Sequence, residues 1–298
     1  MSIHQMDHMT ARVACFARAY HTRHSDTPVF SDPLAERMLT PGEYDAISRH
    51  MAADIQYFAP SFRGTPEEAL AYIVNRQLAP SVLARSAFCQ RAMRSAVSLG
   101  CGQIVIFACG YDTFSLRAED PSLTVYELDR PEMIADRRQR IACQGLAPTC
   151  RVISIGCDLS RPGWTDSLTS AGFSSTRSSF SSLLGISYYL TKDEFQSLVA
   201  GISSVSCEGS AICFDYPTSE GGRESAVTRE LAAAAGESMK ALYSHEEMES
   251  LLSGEGFLVS GRLNADEATE TFFSGSGMTA PLGVGYCLAV KRQGILQP

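Results

Sequence analysis

Short apolar segments alternate with amphipathic ones over most of the chain after residue 100. Residues 103–109 form an almost uninterrupted apolar run ending at Gly110, which is typical of a strand buried on both faces. Pro131, Thr191 with Glu194, and Ser244 with Glu247 mark helix starts between such segments. The predicted strands are 103–109, 124–129, 151–155, 180–184, 210–216, 257–263 and 285–291. This order predicts an α/β fold with a mostly parallel, seven-stranded sheet and an antiparallel last strand.

The chain before residue 93 has the apolar spacing of helices rather than strands. Residues 9–21 form one such segment, and Thr65 with Pro66 marks the start of another that continues past Pro80 to Met93. The prolines between the two segments predict a loop there, and Pro41 falls within it. We therefore expect a helical N-terminal cap over residues 1–92 and an α/β core over residues 93–298, joined in one compact unit.

Composition narrows the class of protein. The 298 residues are 45% hydrophobic and 19% charged, which excludes a disordered chain, and the net charge of −8 disfavours sequence-independent binding to nucleic acid. No apolar stretch is long enough for a membrane span, and the N-terminus lacks the apolar region of a secretory signal. The ten cysteines form no C-x-x-C pair. We expect free thiols, no metal site and a cytoplasmic location.

Acidic residues lie at or near four of the first five strand ends, where open α/β sheets bind their ligands. They are Asp112, Asp129, Asp158 and Asp215. Asp129 follows Gly110 by 19 residues, a spacing that lets its carboxylate accept hydrogen bonds from a ribose diol. A helix N-cap is the alternative role for any one such aspartate.

The loop after the first strand distinguishes between two nucleoside cofactors. A dinucleotide-binding loop has three glycines, whereas this loop has Gly110 alone, with Ala108 and Tyr111 at positions where glycines are expected. A nucleoside without phosphates needs acids for its diol and its ammonium group. This favours S-adenosylmethionine over NAD, with Asp158 near the adenine amine and Leu159 against the adenine ring.

Two segments carry a family resemblance: QIVIFACGYDTFSLR at 103–117 and VYELDRPE at 125–132. They resemble the leucine carboxyl methyltransferase family, and more narrowly its bacterial branch of class I O-methyltransferases of the polyketide type. Further similar segments are TARVA at 10–14, FSDPLA at 30–35, ARS at 84–86 and LGISYYLT at 184–191, so that the resemblance covers most of residues 9–290. It implies a Rossmann-like methyltransferase sheet with an N-terminal helical cap.

The resemblance also implies roles for single residues. Gly110 and its loop would contact the methionine part of S-adenosylmethionine, Arg85 would pair with its carboxylate, and Arg12 would close over the same group. Asp129 would bind the ribose diol. The implied cofactor-binding residues are Arg12, Arg85, Ala108, Cys109, Gly110, Asp112, Asp129, Arg130, Asp158, Leu159, Leu184 and Gly185. Two depart from the family pattern: Ala108 replaces the first loop glycine, and Leu184 replaces an acid of eukaryotic members.

The reaction expected from this resemblance is an in-line displacement at the sulfonium methyl group, with a small-molecule carboxylate or hydroxyl as acceptor. Tyr188, Tyr189, Tyr216 and His21 are candidates near the acceptor, and residues 218–240 are a candidate lid. Two alternatives remain open: an NAD(P)-dependent oxidoreductase, and a non-catalytic regulatory protein that binds S-adenosylmethionine. The sequence predicts no particular oligomeric state.

Overall fold

The computed structural model describes residues 8–218 and 240–292, in which seven strands form one sheet in the order β3-β2-β1-β4-β5-β7-β6. The strands are β1 Gln103–Phe107, β2 Thr124–Asp129, β3 Arg151–Gly156, β4 Ser179–Leu183, β5 Ala211–Pro217, β6 Phe257–Leu263 and β7 Val284–Lys291. Strand β7 runs antiparallel to its neighbours β5 and β6, while β1 to β5 pair in parallel. The predicted mostly parallel α/β sheet with an antiparallel last strand is confirmed.

Helices cover both faces of this sheet. They are α1 Met9–His24, α2 Pro41–Ala53, α3 Ile55–Phe58, α4 Pro66–Ile73, α5 Ala79–Ser98, α6 Phe114–Arg117, α7 Pro131–Cys143, α8 Trp164–Ser170, α9 Lys192–Val205, α10 His245–Gly254 and α11 Ala265–Phe272. The predicted helix starts at Thr65, Thr191 and Ser244 are confirmed, each with a complete capping box.

The predicted loop around Pro41 is wrong, because α2 begins at this residue. The Thr40 side chain accepts a hydrogen bond from the backbone N–H of Glu43, and the Glu43 side chain accepts one from Thr40 in return. Proline is compatible with the first turn of a helix, since its missing N–H would have no intrahelical partner there. The same chemistry that marks Thr65 and Pro66 as a helix start therefore also applies to Thr40 and Pro41.

The helical path from α4 to α5 contains a π-helical turn, Val74–Leu78, directly before the first turn of α5, in which Pro80 lies. Proline donates no backbone hydrogen bond, and its ring crowds the carbonyl group four residues earlier, so a regular helix would kink there. A wider turn just before the proline relieves this crowding. The long helical segment predicted across Pro80 is thus present, with an irregularity that its periodicity did not reveal.

The N-terminal helices share a hydrophobic core with one face of the sheet. Phe16 and Tyr20 of α1 belong to the same buried cluster as Ile104 and Ile106 of β1. The alternate β1 residues Val105 and Phe107 belong to a second cluster on the opposite face. The cap is therefore packed onto the sheet as a continuous layer rather than attached by a linker.

Two sequence expectations concern the whole chain. All ten cysteines are free thiols, and seven of them are buried. Across the two described segments, no helix combines the length and apolar character required to cross a bilayer.

Candidate functional site

A cavity of about 540 Å³ opens at the carboxyl ends of β1, β2 and β4, beside α1. Its volume lies within the roughly 300–1,000 Å³ of small-molecule and cofactor sites. Ten of the residues proposed from the sequence line it: Arg85, Ala108, Cys109, Gly110, Asp112, Asp129, Arg130, Leu184, Gly185 and Tyr189. The structure thus brings together segments that lie up to about a hundred residues apart.

Residues 108–113, called the β1 loop below, connect β1 to α6 and form the floor of the cavity. Ala108 has φ +48° and Gly110 has φ +45°, so both adopt the left-handed conformation that favours glycine. Ala108 occupies the position where the family pattern has a glycine. A glycine adopts this left-handed backbone conformation without strain, which explains the pattern. A Cβ atom added at Gly110 would lie 3.3 Å from the Cβ of Ala11 in α1. The helix therefore packs closely over this loop.

Asp129, at the end of β2, presents its carboxylate to the same cavity. Oδ2 accepts a hydrogen bond of 2.8 Å from the Gly110 N–H, and Oδ1 accepts one of 2.8 Å from the Arg130 N–H. Burial raises the pKa of Asp129 above its usual value, although both hydrogen bonds act in the opposite direction. Each carboxylate oxygen has a second acceptor site, so this side chain can also bind two hydroxyl donors.

Two buried arginines hold the carbonyl groups of the β1 loop. Arg137 of α7 is paired with Glu127 at 2.5 Å, and its Nη1 donates to the carbonyl oxygens of Gly110 and Asp112. Arg18 of α1 donates through Nη2 to the carbonyl of Tyr111 at 2.7 Å. Neither arginine was singled out from the sequence as a site residue, because each is far along the chain from the atoms that it binds.

Asp215, at the end of β5, organises the opposite side of the cavity. Its fully buried carboxylate accepts a hydrogen bond of 2.7 Å from the Gly185 N–H and one of 3.0 Å from the Tyr188 hydroxyl. Nη1 of Arg85 lies 3.4 Å from the same carboxylate. Gly185 has φ +69°, and an added Cβ would lie 2.8 Å from Arg85 Nη1. Gly185 therefore allows the guanidinium group to approach the backbone at the cavity wall.

Three residues proposed from the sequence, Arg12, His21 and Tyr188, are not among the residues that line the cavity. Nε of Arg12 is 3.1 Å from Oε1 of Glu43 in α2, so Arg12 ties α1 to α2. His21 is buried within the cap, where its Nε2 accepts a hydrogen bond of 2.9 Å from the Val29 N–H. Tyr188 is buried against Asp215, and this environment raises its pKa well above the usual value, through burial first and the carboxylate second. His21 and Tyr188 are thus not among the residues that line the cavity, and their predicted place beside the acceptor stays a prediction.

Asp158 and Leu159, at the end of β3, are also absent from the described lining. The Asp158 side chain is half exposed and accepts hydrogen bonds from the Ser160 N–H at 3.0 Å and the Ser160 hydroxyl at 2.6 Å. Leu159 is partly buried and packs against the same hydrophobic cluster as Ala108. Asp158 therefore acts locally as a turn-stabilising residue, and its predicted contact with adenine stays a prediction.

Other lining residues were not predicted, and several of them belong to α1. They include His8, Thr10, Ala11, Ala14, Arg18, Ser86, Ser182 and Lys240. The backbone N–H of Lys240 donates to the Tyr188 carbonyl at 2.8 Å, which places this lysine at the cavity. Most of the candidate lid, residues 219–239, lies outside the described residues. Tyr216, a further candidate, is buried with its hydroxyl 2.7 Å from Nδ1 of His245.

The chemistry of the lining suits S-adenosylmethionine. Asp129 offers acceptors for a ribose diol, while the guanidinium group of Arg85 lines the same cavity and can pair with an amino-acid carboxylate. Within residues 8–218 and 240–292, no cluster of three or more His, Cys, Asp or Glu side chains is arranged to hold a metal ion.

The strand order and the cavity at the ends of β1 and β2 define a class I S-adenosylmethionine-dependent methyltransferase. Residues 11–203 match the family model of leucine carboxyl methyltransferase, and the chain belongs to this family. It is 32% identical to the Bacillus subtilis protein named "Putative S-adenosyl-L-methionine-dependent methyltransferase YktD", over 95% of this chain and 98% of that protein. The cofactor is S-adenosylmethionine, and the comparisons give no support to an NAD(P)-dependent oxidoreductase.

Two solved structures share this fold at low sequence identity. A DUF574-family protein of Streptomyces avermitilis aligns with a TM-score of 0.59 and 16% identity, over 95% of this chain and 97% of its own. A Thermobifida fusca protein described as a "putative methyltransferase" aligns with a TM-score of 0.55 and 16% identity, over 83% of this chain and 95% of its own. The N-terminal helices are thus part of the shared architecture in the first of these.

Proposed function

We propose that this methyltransferase transfers the methyl group to an oxygen atom of a small-molecule acceptor, either a carboxylate or a hydroxyl group. The supporting observation concerns two cationic side chains at the cavity, Arg130 and Lys240, whose ion pairs are largely exposed: Arg130 lies 3.8 Å from Glu132 and Lys240 lies 3.4 Å from Glu194. Exposed pairs of this kind contribute little free energy, so either cation can turn to an acceptor that is itself anionic.

The residues of the chain contribute mainly by binding and orienting. S-adenosylmethionine, when bound, supplies an electrophilic methyl group on a sulfonium centre. Asp129 would hold the ribose diol, Arg85 the amino-acid carboxylate, and Asp158 with Leu159 the adenine at the outer end. Helix α1 would cover the cofactor and exclude water. Holding two reactants in line can supply roughly 7–11 kcal/mol of the barrier reduction, so this site needs no covalent step.

Tyr189 is our candidate for contacting the acceptor. Among Tyr188, Tyr189 and His21, it alone belongs to the described lining of the cavity. A carboxylate acceptor is already ionised at neutral pH and needs no general base, so Tyr189 would then orient the acceptor through its hydroxyl group. A hydroxyl acceptor would need a base, and the pH dependence of turnover would reveal one.

The test is methyl transfer from S-adenosylmethionine labelled in its methyl group to a panel of carboxylic acids, phenols and alcohols. We expect the label on oxygen: mild alkali hydrolyses the methyl ester formed from a carboxylate acceptor, whereas the methyl ether formed from a hydroxyl group is stable. The Asp129→Ala variant controls for non-enzymatic transfer. Label found on nitrogen, sulfur or carbon would contradict the proposal. Tight cofactor binding without turnover on any acceptor would instead support the non-catalytic alternative.

A further inference from the structure

The β1 loop is held from two independent directions. Its carbonyl groups at Gly110 and Asp112 accept hydrogen bonds from Arg137, which belongs to α7 beside the sheet. The carbonyl between them, that of Tyr111, accepts a hydrogen bond of 2.7 Å from Arg18, which belongs to α1 of the cap. Three successive carbonyl groups at the cavity floor are therefore bound by guanidinium groups, one of which comes from the N-terminal cap.

Arg18 is itself fixed by the cap. Its Nε donates to Oδ2 of Asp32 at 2.8 Å, its Nη1 lies 3.3 Å from the Ala14 carbonyl, and only 7% of the residue is exposed. Asp32 is 1% exposed and accepts a second hydrogen bond, of 2.6 Å, from the Thr113 hydroxyl. The pair Arg18–Asp32 thus binds the β1 loop at two points, the Tyr111 carbonyl and the Thr113 hydroxyl.

The electrostatics of this pair keep it ionised. Burial alone would raise the pKa of Asp32, but the guanidinium groups of Arg18 and Arg117 and the hydroxyl of Thr113 hold it below its usual value. A guanidinium group can donate to a carboxylate and to a carbonyl at the same time through different nitrogens, because its five N–H groups form a rigid fork. A lysine ammonium on a flexible stem does not reproduce both contacts in one geometry.

We propose that Arg18 is a positioning residue for the cofactor: together with Asp32 it fixes the β1 loop from the cap, so that affinity for the amino-acid half of S-adenosylmethionine depends on how the cap is docked. The β1 loop is the segment expected to contact this half, whereas Asp129 acts on the ribose. Loss of the Arg18 contacts therefore lowers affinity for ligands that carry the amino-acid half and leaves a truncated nucleoside unaffected.

The test compares Arg18→Lys with Arg23→Lys. Arg23 lies on the same helix and pairs with Glu36 at 3.0 Å, but this pair is about half exposed, so the control makes the same substitution outside the cavity. We expect a tenfold or greater rise in the Kd for S-adenosylhomocysteine in Arg18→Lys and a change below twofold for methylthioadenosine, which lacks the amino-acid half. Amide hydrogen exchange of residues 110–113 should be faster in the ligand-free variant. Arg23→Lys should resemble the wild type in all three measurements.

Two outcomes would overturn the proposal. Equal losses for S-adenosylhomocysteine and methylthioadenosine would indicate general destabilisation rather than positioning. Unchanged loop exchange and affinity in a folded Arg18→Lys variant would show that Arg18 only anchors its helix. Should this variant fail to fold, Thr113→Val removes the second contact point alone. It should shift the same two measurements in the same direction by a smaller factor, and no shift would contradict the proposal.

Discussion

The ends of β2 and β3 carry the same residue type in different surroundings. Asp129 ends β2, lines the cavity and binds two backbone N–H groups, and burial raises its pKa. Asp158 follows β3, is half exposed and binds Ser160 through its N–H and its hydroxyl, which lower its pKa. Both aspartates lie at or near the ends of predicted strands, so the sequence alone assigns both to the cofactor.

The position of each strand in the sheet explains the difference. Strand β1 lies between β2 and β4, so the order of strands reverses beside it, and loops there diverge to leave a crevice. Strand β2 borders this point, whereas β3 forms the outer edge of the sheet. A strand-end carboxylate therefore contributes to the site according to its distance from β1. This comparison predicts unequal effects of substituting the two aspartates.

The largest effect is expected for Asp129→Ala. This substitution removes the proposed acceptor for the ribose diol and leaves the Gly110 N–H without its carboxylate partner. Hydrogen bonds to a charged group contribute about 1.5–3 kcal/mol each, so we expect the Kd for S-adenosylhomocysteine to rise about 100-fold. Isothermal titration measures it. Asp129→Asn, which retains one acceptor oxygen, should lose about tenfold, and an Asp129→Ala affinity within threefold of wild type would refute the assignment.

The pH dependence of cofactor binding is expected to follow the raised pKa of Asp129. The ribose diol is bound by ionised Asp129, so affinity is complete above the raised pKa and falls as the pH decreases through it. An ordinary aspartate, with a pKa of about 3.9, would show its midpoint near that value. We expect the decline for methylthioadenosine to begin at a higher pH than this. Asp129→Asn should bind it with a flat profile over the same range, and a wild-type profile equally flat down to the ordinary value would contradict the prediction.

A smaller effect is expected for Asp158→Ala, and the chain provides a matched control. Asp120 makes the same local contacts as Asp158, with hydrogen bonds to the N–H and hydroxyl of Ser122 at 2.8 and 2.6 Å, but it precedes β2 rather than following a strand. An exposed hydrogen bond to the adenine amine contributes about 0.5–1.5 kcal/mol, so Asp158→Ala should weaken S-adenosylhomocysteine binding about two- to tenfold. Asp120→Ala should leave affinity unchanged. Equal affinities in the two variants would remove Asp158 from the site.

Local signals predicted much of this molecule. The predicted bounds of the seven strands lie within about two residues of the observed ones. For β1 the signal was strong because a strand buried on both faces is almost uninterruptedly apolar. Capping boxes located helix starts because Thr191 with Glu194, and Ser244 with Glu247, satisfy backbone groups of their own helices. Gly110 and Asp129 were also found from local sequence, because each lies next to an apolar run that predicts a strand, and ligand sites in such sheets lie at strand ends.

Contacts between distant segments gave no such signal. Arg18 reaches Tyr111 across 93 residues, and Lys240 reaches the cavity through the Tyr188 carbonyl. The periodicity of α1 shows which face is apolar but not that a buried arginine on this helix binds the β1 loop. The positions of Asp158 and His21 outside the cavity lining were not foreseen for the same reason, since neither the order of strands nor the packing of the cap can be inferred from local pattern.

The smallest effect on affinity is expected at Ala108, the departure from the family pattern on the β1 side of the site. Ala108 has φ +48°, and this left-handed conformation costs an alanine roughly 1–2 kcal/mol. Glycine adopts the conformation freely, but its greater freedom in the unfolded chain costs about 0.5–1 kcal/mol of stability. Ala108→Gly should therefore raise the free energy of unfolding by up to about 1 kcal/mol, measured by denaturant titration, and change the Kd for S-adenosylhomocysteine less than twofold.

The matched control for Ala108→Gly is Ala118→Gly. Ala118 is a buried alanine outside helices and strands with φ −67°, a conformation that alanine adopts without strain. Glycine there brings only the entropic cost and the loss of a buried methyl group, so this variant should be less stable by about 1 kcal/mol. Opposite signs in the two variants would show that the β1 loop stores backbone strain at the cavity floor. A destabilised Ala108→Gly would show instead that the Ala108 methyl group packs favourably enough to offset the strain.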